Sequence, residues 1–121
     1  MSNPVEAFIQ ALSKKDGAGI HAAVTPDVRF RGLTPGDEWQ AHTVDELTTI
    51  LFGRWFEPPD EITSLVSWDV NDLAGRIGFI YRMRIHNADG NFVVEQQGYA
   101  TLSDDNRIAD IAIVCSGFRQ E

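Results

Sequence analysis

Apolar residues recur every three or four positions in two parts of the first half of the chain, and this spacing predicts two amphipathic helices. One helix begins after Asn3, which can cap it, with Pro4 at the first helical position and Glu6 placed to reach back to the cap. The other begins at Thr43, which forms a capping box with Glu46. The two apolar faces consist of Val5, Phe8, Ile9 and Leu12, and of Val44, Leu47, Ile50, Leu51 and Trp55.

Elsewhere apolar and polar residues alternate, and a period of two predicts β-strands. A short helix over residues 18–24 is followed by one strand over 28–32 and a shorter one over 38–42. From Glu61 onward the period of two continues and predicts four long antiparallel strands. The turn residues that separate these strands lie at 72–75, 89–90 and 105–106.

A hairpin turn determines which residues of its two strands lie opposite each other, so the three turns predict a register for the sheet. The predicted opposite pairs are Val66–Tyr81, Trp68–Phe79, Tyr81–Gly98, Met83–Gln96, Ile85–Val94, Arg84–Glu95, Ala100–Ile111, Gly98–Ile113 and Gln96–Cys115. All three hairpins then agree on which side chains share a face, and Arg84 meets a residue of opposite charge.

One face of this predicted sheet is almost entirely apolar and is expected to lie against the helices. Its members are Val66, Trp68, Phe79, Tyr81, Met83, Ile85, Val94, Gln96, Gly98, Ala100, Ile111, Ile113 and Cys115. The helices supply Phe8, Leu12, Leu51 and Trp55 across from it, and burial of such side chains is expected to be the main stabilising contribution. A helix packed on a strongly bent sheet leaves a tapered space, so the pattern predicts an apolar pocket between them.

Composition limits the classes of partner. The chain has 121 residues, of which 43% are hydrophobic, and we expect one domain spanning residues 1–121. A net charge of -8 disfavours contact with nucleic acid and with anionic membranes. Cys115 is the only cysteine, and no signal peptide or membrane-spanning stretch is evident, so we expect a cytoplasmic protein.

The order helix, short helix, strand, helix and four-strand meander covers nearly the whole chain. Its most telling stretches are Phe8-Ile9-Gln10-Ala11-Leu12, Lys15-Asp16-Gly17, Thr25-Pro26-Asp27-Val28-Arg29-Phe30 and the segment from Gly98 to Ile108. This arrangement resembles the nuclear transport factor 2-like (NTF2-like) superfamily. The resemblance implies an α+β fold, a cone-shaped α+β roll in which a curved mixed or antiparallel sheet wraps around N-terminal helices, as in cystatin-like proteins.

The superfamily includes isomerases, SnoaL-like cyclases, dehydratases, epoxide hydrolases and plain binding modules, so fold does not specify activity. One member, ketosteroid isomerase, can be compared by position. Its oxyanion-donor tyrosine corresponds to Phe8, its general-base aspartate to Gly32 and its protonated aspartate to Gly98. Because that reaction needs both a base and a donor for the enolate oxygen, we exclude ketosteroid isomerase activity.

The apolar face and the resemblance together predict a ligand site. Its expected members are Tyr81, Gln96, Trp55, Trp68, Phe8, Phe30, Met83, Ile113 and Cys115. Tyr81 and Gln96 either bind a ligand or satisfy their polar groups within the protein, and Cys115 is either a site residue or a small buried hydrophobe. Tyr81 and His42 are the candidate catalytic residues, although His42 also fits a solvated loop histidine.

No metal or cofactor is expected. The three histidines, His21, His42 and His86, are far apart in sequence and poorly matched to carboxylates, which argues against a metal site.

The outer sheet face combines apolar side chains with charged ones and would expose an apolar patch if left bare. Its apolar members are Ile80, Tyr99, Ala112 and Val114, and its polar members are Arg82, Arg84, Glu95 and Gln97. A twofold homodimer formed through this face, the common assembly in the superfamily, would cover the patch.

The first hypothesis is therefore a SnoaL-like protein that binds a small apolar or mixed-polarity ligand, and its enzymatic version is a cofactor-independent lyase, isomerase or cyclase. The alternative is a non-catalytic accessory or dimerisation module whose own Trp and Phe rings fill the cavity. The sequence leaves open whether a reaction takes place.

Overall fold

The computed structural model describes residues 3–121, and within that range the chain forms three α-helices, one π-helical turn and seven strands. The helices are α1 (Pro4–Ser13), α2 (Gly17–Ala23) and α3 (Val44–Ile50), and the π-helical turn (Leu51–Trp55) continues α3. The strands are β1 (Val24–Thr34), β2 (Asp37–Ala41), β3 (Glu61–Leu73), β4 (Arg76–Asn87), β5 (Gly90–Leu102), β6 (Ile108–Cys115) and β7 (Arg119–Gln120). In the described part, no helix is both long and apolar enough to cross a membrane.

The helices begin where the sequence predicts. The Asn3 side chain accepts a hydrogen bond from the backbone N–H of Val5 at 2.8 Å, and Thr43 Oγ1 accepts one from Glu46 at 3.1 Å. The Glu46 carboxylate accepts from the backbone N–H of His42 at 2.8 Å, one residue before the cap. These side chains satisfy N–H groups that a helix end leaves without a partner.

Six strands form a sheet in the order β2-β1-β6-β5-β4-β3, and the short β7 pairs with β5 where β6 has ended. β1 and β6 are parallel, whereas the other neighbours are antiparallel. α1 packs on α2 and reaches β3 and β4, while α3 packs on β1 and β2. The result is the α+β arrangement that the sequence predicts, with a mixed sheet.

The register of the long strands is partly as predicted. Between β5 and β6 it is confirmed, with Gln96–Cys115, Gly98–Ile113 and Ala100–Ile111 as opposite pairs. Between β4 and β5 the prediction is wrong by two residues, because the loop is residues 88–89 and not 89–90. The observed pairs there are Phe79–Gly98, Tyr81–Gln96, Arg82–Glu95, Met83–Val94 and Ile85–Phe92.

The β3–β4 hairpin differs in the same way. Its loop is Ala74–Gly75, both with left-handed φ angles of 50° and 83°, and not the four residues 72–75. Trp68 therefore lies opposite Tyr81, and Val70 takes the position opposite Phe79. Because side chains alternate with a period of two, an error of two residues leaves the face of each side chain unchanged.

The far end of the inner face departs from the prediction, however. The β3 register shifts between Ile62 and Ser64 and again between Leu65 and Ser67, which marks two bulges. Val66 lies at the second bulge and is 41% exposed, and Trp68 is 45% exposed. β3 is an edge strand without a single fully buried residue, so its inner face is only partly covered, with Ile62, Leu65 and Val70 packed against the core.

Gly98 also has a different role from the expected one. We expected it to leave room for the Tyr81 ring, but it lies opposite Phe79. A Cβ atom at Gly98 would lie 1.8 Å from the carbonyl oxygen of Ala112, so glycine is required by the close approach of β5 and β6.

Candidate functional site

The structure brings most of the predicted site residues together in the core between the helices and the sheet. Six of them are fully buried or nearly so, namely Phe8, Phe30, Tyr81, Met83, Gln96 and Ile113. Trp55 and Cys115 are 7% and 9% exposed and lie at the edge of this core. Trp68 is the member that lies apart, on the uncovered strand β3.

Tyr81 and Gln96 form a buried polar pair on the inner face. The Tyr81 hydroxyl donates a hydrogen bond to Gln96 Oε1 at 2.5 Å. Burial is the main cause that raises the pKa of Tyr81 well above its ordinary value, and the charge of Cys115 contributes in the same direction. The phenol therefore stays protonated and acts as a hydrogen-bond donor.

Gln96 has a second polar atom that this pair does not use. Its Nε2 atom is buried and has no hydrogen-bond partner among the described residues, and the same holds for Trp55 Nε1 and Thr25 Oγ1. The opposite orientation of the amide would leave both the Tyr81 hydroxyl proton and Gln96 Oε1 unpaired, so Nε2 is the atom that remains free. A buried donor of this kind is unfavourable without an acceptor.

Cys115 connects this pair to the protein surface. It lies opposite Gln96 in the β5–β6 ladder, and its Sγ accepts a hydrogen bond from the backbone N–H of Gly117 at 3.4 Å. Since Tyr81, Gln96 and Cys115 are in register on three neighbouring strands, they form one row across the inner face.

The Trp55 ring occupies the inner side of β1. The π-helical turn is closed by a hydrogen bond from the backbone N–H of Phe56 to the carbonyl of Leu51 at 2.8 Å. Trp55 packs edge to face on Phe30 with ring centres 5.5 Å apart, and a Cβ atom at Gly32 would lie 2.6 Å from Trp55 Cζ2. The position that corresponds to the general base of ketosteroid isomerase is thus covered by an aromatic ring.

A cleft of about 400 Å³ opens beside Trp55. Cys115 and Trp39 lie in its lining, and the aromatic rings of Phe56 and Phe118, which are 5.9 Å apart, form another part of it. Polar lining comes from Thr34, Arg54, Glu57, Asp60, Asn87 and Asp89. The cleft is therefore concave, with aromatic walls and a polar lining that contains three carboxylates and one guanidinium.

Asp60 and Phe118 line the cleft and are absent from the predicted site. Asp60 is 8% exposed, and its carboxylate accepts hydrogen bonds from Asn87 Nδ2 at 2.9 Å and from the backbone N–H of Glu57 at 3.1 Å. A carboxylate directly after Pro58-Pro59 was the available signal for a tight turn. Nothing local in the sequence places Phe118 beside the π-helical turn, because that contact is long-range.

His42 is exposed and does not line this cleft, and its backbone N–H is the group that bonds Glu46. Within residues 3–121, no group of three or more His, Cys, Asp or Glu side chains is placed to hold a metal ion.

The outer sheet face carries paired charges around an apolar strip. Arg82 contacts Glu95 at 2.8 Å, and Arg84 contacts Glu121 at 2.8 Å, so the predicted Arg84–Glu95 pair is replaced by two others. Two grooves of about 280 and 440 Å³ lie on this face and share Tyr99, Ala112 and Val114. Val114 is 49% exposed, whereas Ile80, Tyr99 and Ala112 are half-buried, so the apolar strip that these four residues form is partly exposed in the single chain. Leu33, beside Val114 on β1, is 46% exposed.

Comparison with known proteins identifies the fold. The sequence matches no protein-family model and no curated protein. Among solved structures, an LEH-like epoxide hydrolase from M. tuberculosis is similar with a TM-score of 0.68 and 16% identity, covering 93% of this chain and 80% of that one. A Mesorhizobium loti protein grouped with the SnoaL-like polyketide cyclases has a TM-score of 0.68 and 13% identity, covering 93% and 98%. An NTF2-like protein from Burkholderia xenovorans LB400 has a TM-score of 0.67 and 15% identity, covering 93% and 86%.

Proposed function

Because the chain has the NTF2-like fold, we propose that it is a SnoaL-like small-molecule-binding protein whose ligand enters through the cleft beside Trp55. The ligand is small and apolar or of mixed polarity. The proposal places its body against the aromatic walls and its polar atoms near Cys115, Gln96 and Tyr81.

The cleft of about 400 Å³ is the observation that carries this proposal. Small-molecule sites are concave and combine apolar walls with a few polar groups, and this cleft combines four aromatic rings, from three parts of the chain, with a buried carboxylate. It also lies at the end of the row formed by Tyr81, Gln96 and Cys115, which contains the polar groups of an otherwise apolar face.

The enzymatic version of this function needs an acid or a base at the cleft. Asp60 is the buried carboxylate in the lining, and its two hydrogen bonds hold it in one orientation. A cofactor-independent reaction in this site would therefore use Asp60 to accept a proton. The names of the similar structures include an epoxide hydrolase and a polyketide cyclase, which supports the enzymatic version.

The experiment is a titration of the protein with N-phenyl-1-naphthylamine, a neutral apolar dye whose fluorescence rises in an apolar site. We expect a saturable rise with the unmodified protein and about 10-fold weaker binding in Phe118→Ala, which removes one aromatic wall. Trp68→Ala is the matched control, because that ring is 45% exposed and does not line the cleft, and it should bind as the unmodified protein does. No saturable rise, or equal weakening in both variants, would contradict the proposal.

A second role, dimerisation, is favoured by the outer sheet face. Beside its apolar strip, this face carries six of the ten basic residues, Arg29, Arg31, Arg76, Arg82, Arg84 and Arg119. Their charges offset those of Glu38, Asp69, Glu95, Asp110 and Glu121 on the same face, in a chain of net charge -8. Two acidic copies repel each other least where their positive charges are concentrated. We therefore propose a homodimer formed through this face.

Val114→Asp tests the dimer, because it places a charge in the middle of the apolar strip on a side chain that is 49% exposed. Val66→Asp makes the same change at a site that is 41% exposed and lies on β3, away from the strip. Sedimentation velocity should give a dimer for the unmodified chain and for Val66→Asp, and a monomer for Val114→Asp. A monomeric unmodified chain at micromolar concentration would refute the dimer.

A further inference from the structure

Among residues 3–121, two buried N–H donors have no acceptor, one in the lining of the cleft and one on the strand next to Cys115. They are Trp55 Nε1 and Gln96 Nε2, and both side chains are more than nine-tenths buried. Most buried polar groups in proteins are hydrogen-bonded, so each exception calls for an explanation. Cys115 relates the two, because it lines the cleft together with Trp55 and lies opposite Gln96 in the sheet.

We propose, as an extension that rests on the proposed function, that the ligand is an uncharged molecule of about the size of an indole ring. On binding, it displaces the Trp55 ring into the cleft and presents an acceptor oxygen to Gln96 Nε2. Trp55 is then a gate that fills the site when no ligand is bound. In this state the ring covers the inner side of β1, between Phe30 and Gly32.

The surroundings of Trp55 permit this movement. The ring stands at the last residue of a π-helical turn, a feature that is frequent at functional sites, and the cleft of about 400 Å³ beside it can accept a displaced indole. Gly53 in the same turn has open space around it, since a Cβ atom there would meet nothing within 4 Å. Displacement would leave a volume of indole size on the inner face, next to the row of Tyr81, Gln96 and Cys115.

The charges around the cleft define the ligand further. Both free donors are uncharged, and the lining contains the acidic Glu57, Asp60 and Asp89 against one cation, Arg54. In a chain of net charge -8, a carboxylate or phosphate would meet repulsion on entry. The acceptor is therefore a neutral oxygen, such as a carbonyl or ether oxygen, on an apolar frame.

A matched series of probes tests the inference: 1-tetralone, tetralin and tetralin-1-carboxylate have the same bicyclic frame and differ in the polar group. We expect 1-tetralone to bind about 3- to 10-fold more tightly than tetralin, the gain of one hydrogen bond, and the carboxylate to bind more weakly than both. In ¹⁵N-correlated NMR spectra, 1-tetralone should shift the Gln96 side-chain amide protons downfield, and both neutral probes should shift the Trp55 indole signal as its ring moves. Trp55→Phe identifies the indole signal.

Gln96→Met removes the donor while it keeps the length of the side chain. Combined with Tyr81→Phe, which removes the hydroxyl that Gln96→Met alone would leave free to donate, it should abolish the advantage of 1-tetralone over tetralin and change tetralin affinity by less than about 2-fold. Should this variant not fold, the Gln96 amide signals of the unmodified protein still decide the question.

The outcomes separate the inference from the function on which it rests. Equal affinities for tetralin and 1-tetralone, together with unmoved Gln96 amide signals, would overturn the inference and leave the proposed function intact if N-phenyl-1-naphthylamine binds. An unmoved indole signal on saturation would overturn the gate. Absence of binding by all neutral probes, the dye included, would refute the proposed function itself.

Discussion

Two neighbouring cross-strand pairs of the β4–β5 ladder, Tyr81–Gln96 and Arg82–Glu95, lie on opposite faces of the sheet. Both are joined by side-chain hydrogen bonds, the first at 2.5 Å and the second at 2.8 and 3.2 Å. The members of the first pair are 1% and 0% exposed, whereas the side chains of the second are 53% and 40% exposed.

The difference shows that the environment, and not the number of hydrogen bonds, sets the energetic weight of a pair. Water competes for the Arg82–Glu95 contact, so forming or losing it changes the free energy of unfolding little. Tyr81 and Gln96 are not in contact with solvent, so removal of one side chain leaves the polar group of the other buried and without a hydrogen-bond partner.

The largest effect on the free energy of unfolding should come from removing only one member of the buried pair. Tyr81→Phe leaves both polar atoms of the Gln96 amide unpaired, and Gln96→Met leaves the Tyr81 hydroxyl without an acceptor. Each single substitution should lower the free energy of unfolding by about 1–3 kcal/mol in urea denaturation at pH 7.

The double variant Tyr81→Phe, Gln96→Met is the matched control for that prediction. It removes both polar groups together, so its stability should lie within about 1 kcal/mol of the unmodified protein. If the double variant instead loses as much free energy of unfolding as the two single variants together, Tyr81 and Gln96 are not energetically coupled.

A pH titration sharpens the comparison, because the inner pair contains Tyr81, whose pKa is raised well above its ordinary value. Burial raises the pKa of Tyr81 above its ordinary value of 10.0, so above about pH 10 the unfolded chain loses this proton before the folded chain does. The stabilisation that the protonated Tyr81 phenol contributes is fully present below about pH 10. Above about pH 10, the free energy of unfolding should fall by up to about 1.4 kcal/mol per pH unit.

Tyr81→Phe provides the reference for this titration, since it lacks the phenol and keeps the other titrating groups. Chemical denaturation between pH 9 and 11 should show that the stability gap between the two proteins narrows as the pH rises. A constant gap would mean that the Tyr81 phenol titrates alike in both states.

The smallest effect should come from the outer pair. A double-mutant cycle with Arg82→Ala and Glu95→Ala should give a coupling energy of about 0.2–1 kcal/mol, as for other exposed ion pairs. Repeating it in 1 M NaCl should reduce this value further, because salt screens exposed charges. A coupling as large as that of Tyr81 and Gln96 would contradict the comparison.

Local patterns in the sequence determined the elements and the two faces of the sheet. The caps at Asn3 and Thr43 act on groups two or three residues away, so the chain itself contains the whole interaction. The assignment of Tyr81, Gln96 and Cys115 to one inner face was also correct, because a register error of two residues does not change the face.

Tertiary structure decided the features that depend on distant partners. The pairing of β4 with its neighbours depends on which residues form the tight turns. The bulges in β3 and its position at the edge of the sheet leave Val66 and Trp68 exposed. The cleft exists because the π-helical turn, the turn at Asp60 and the segment from Cys115 to Phe118 meet in space, although more than 50 residues separate the π-helical turn from Phe118 in the sequence. Such contacts depend on the packing of the whole chain, and the local period of apolar residues in the sequence does not indicate them.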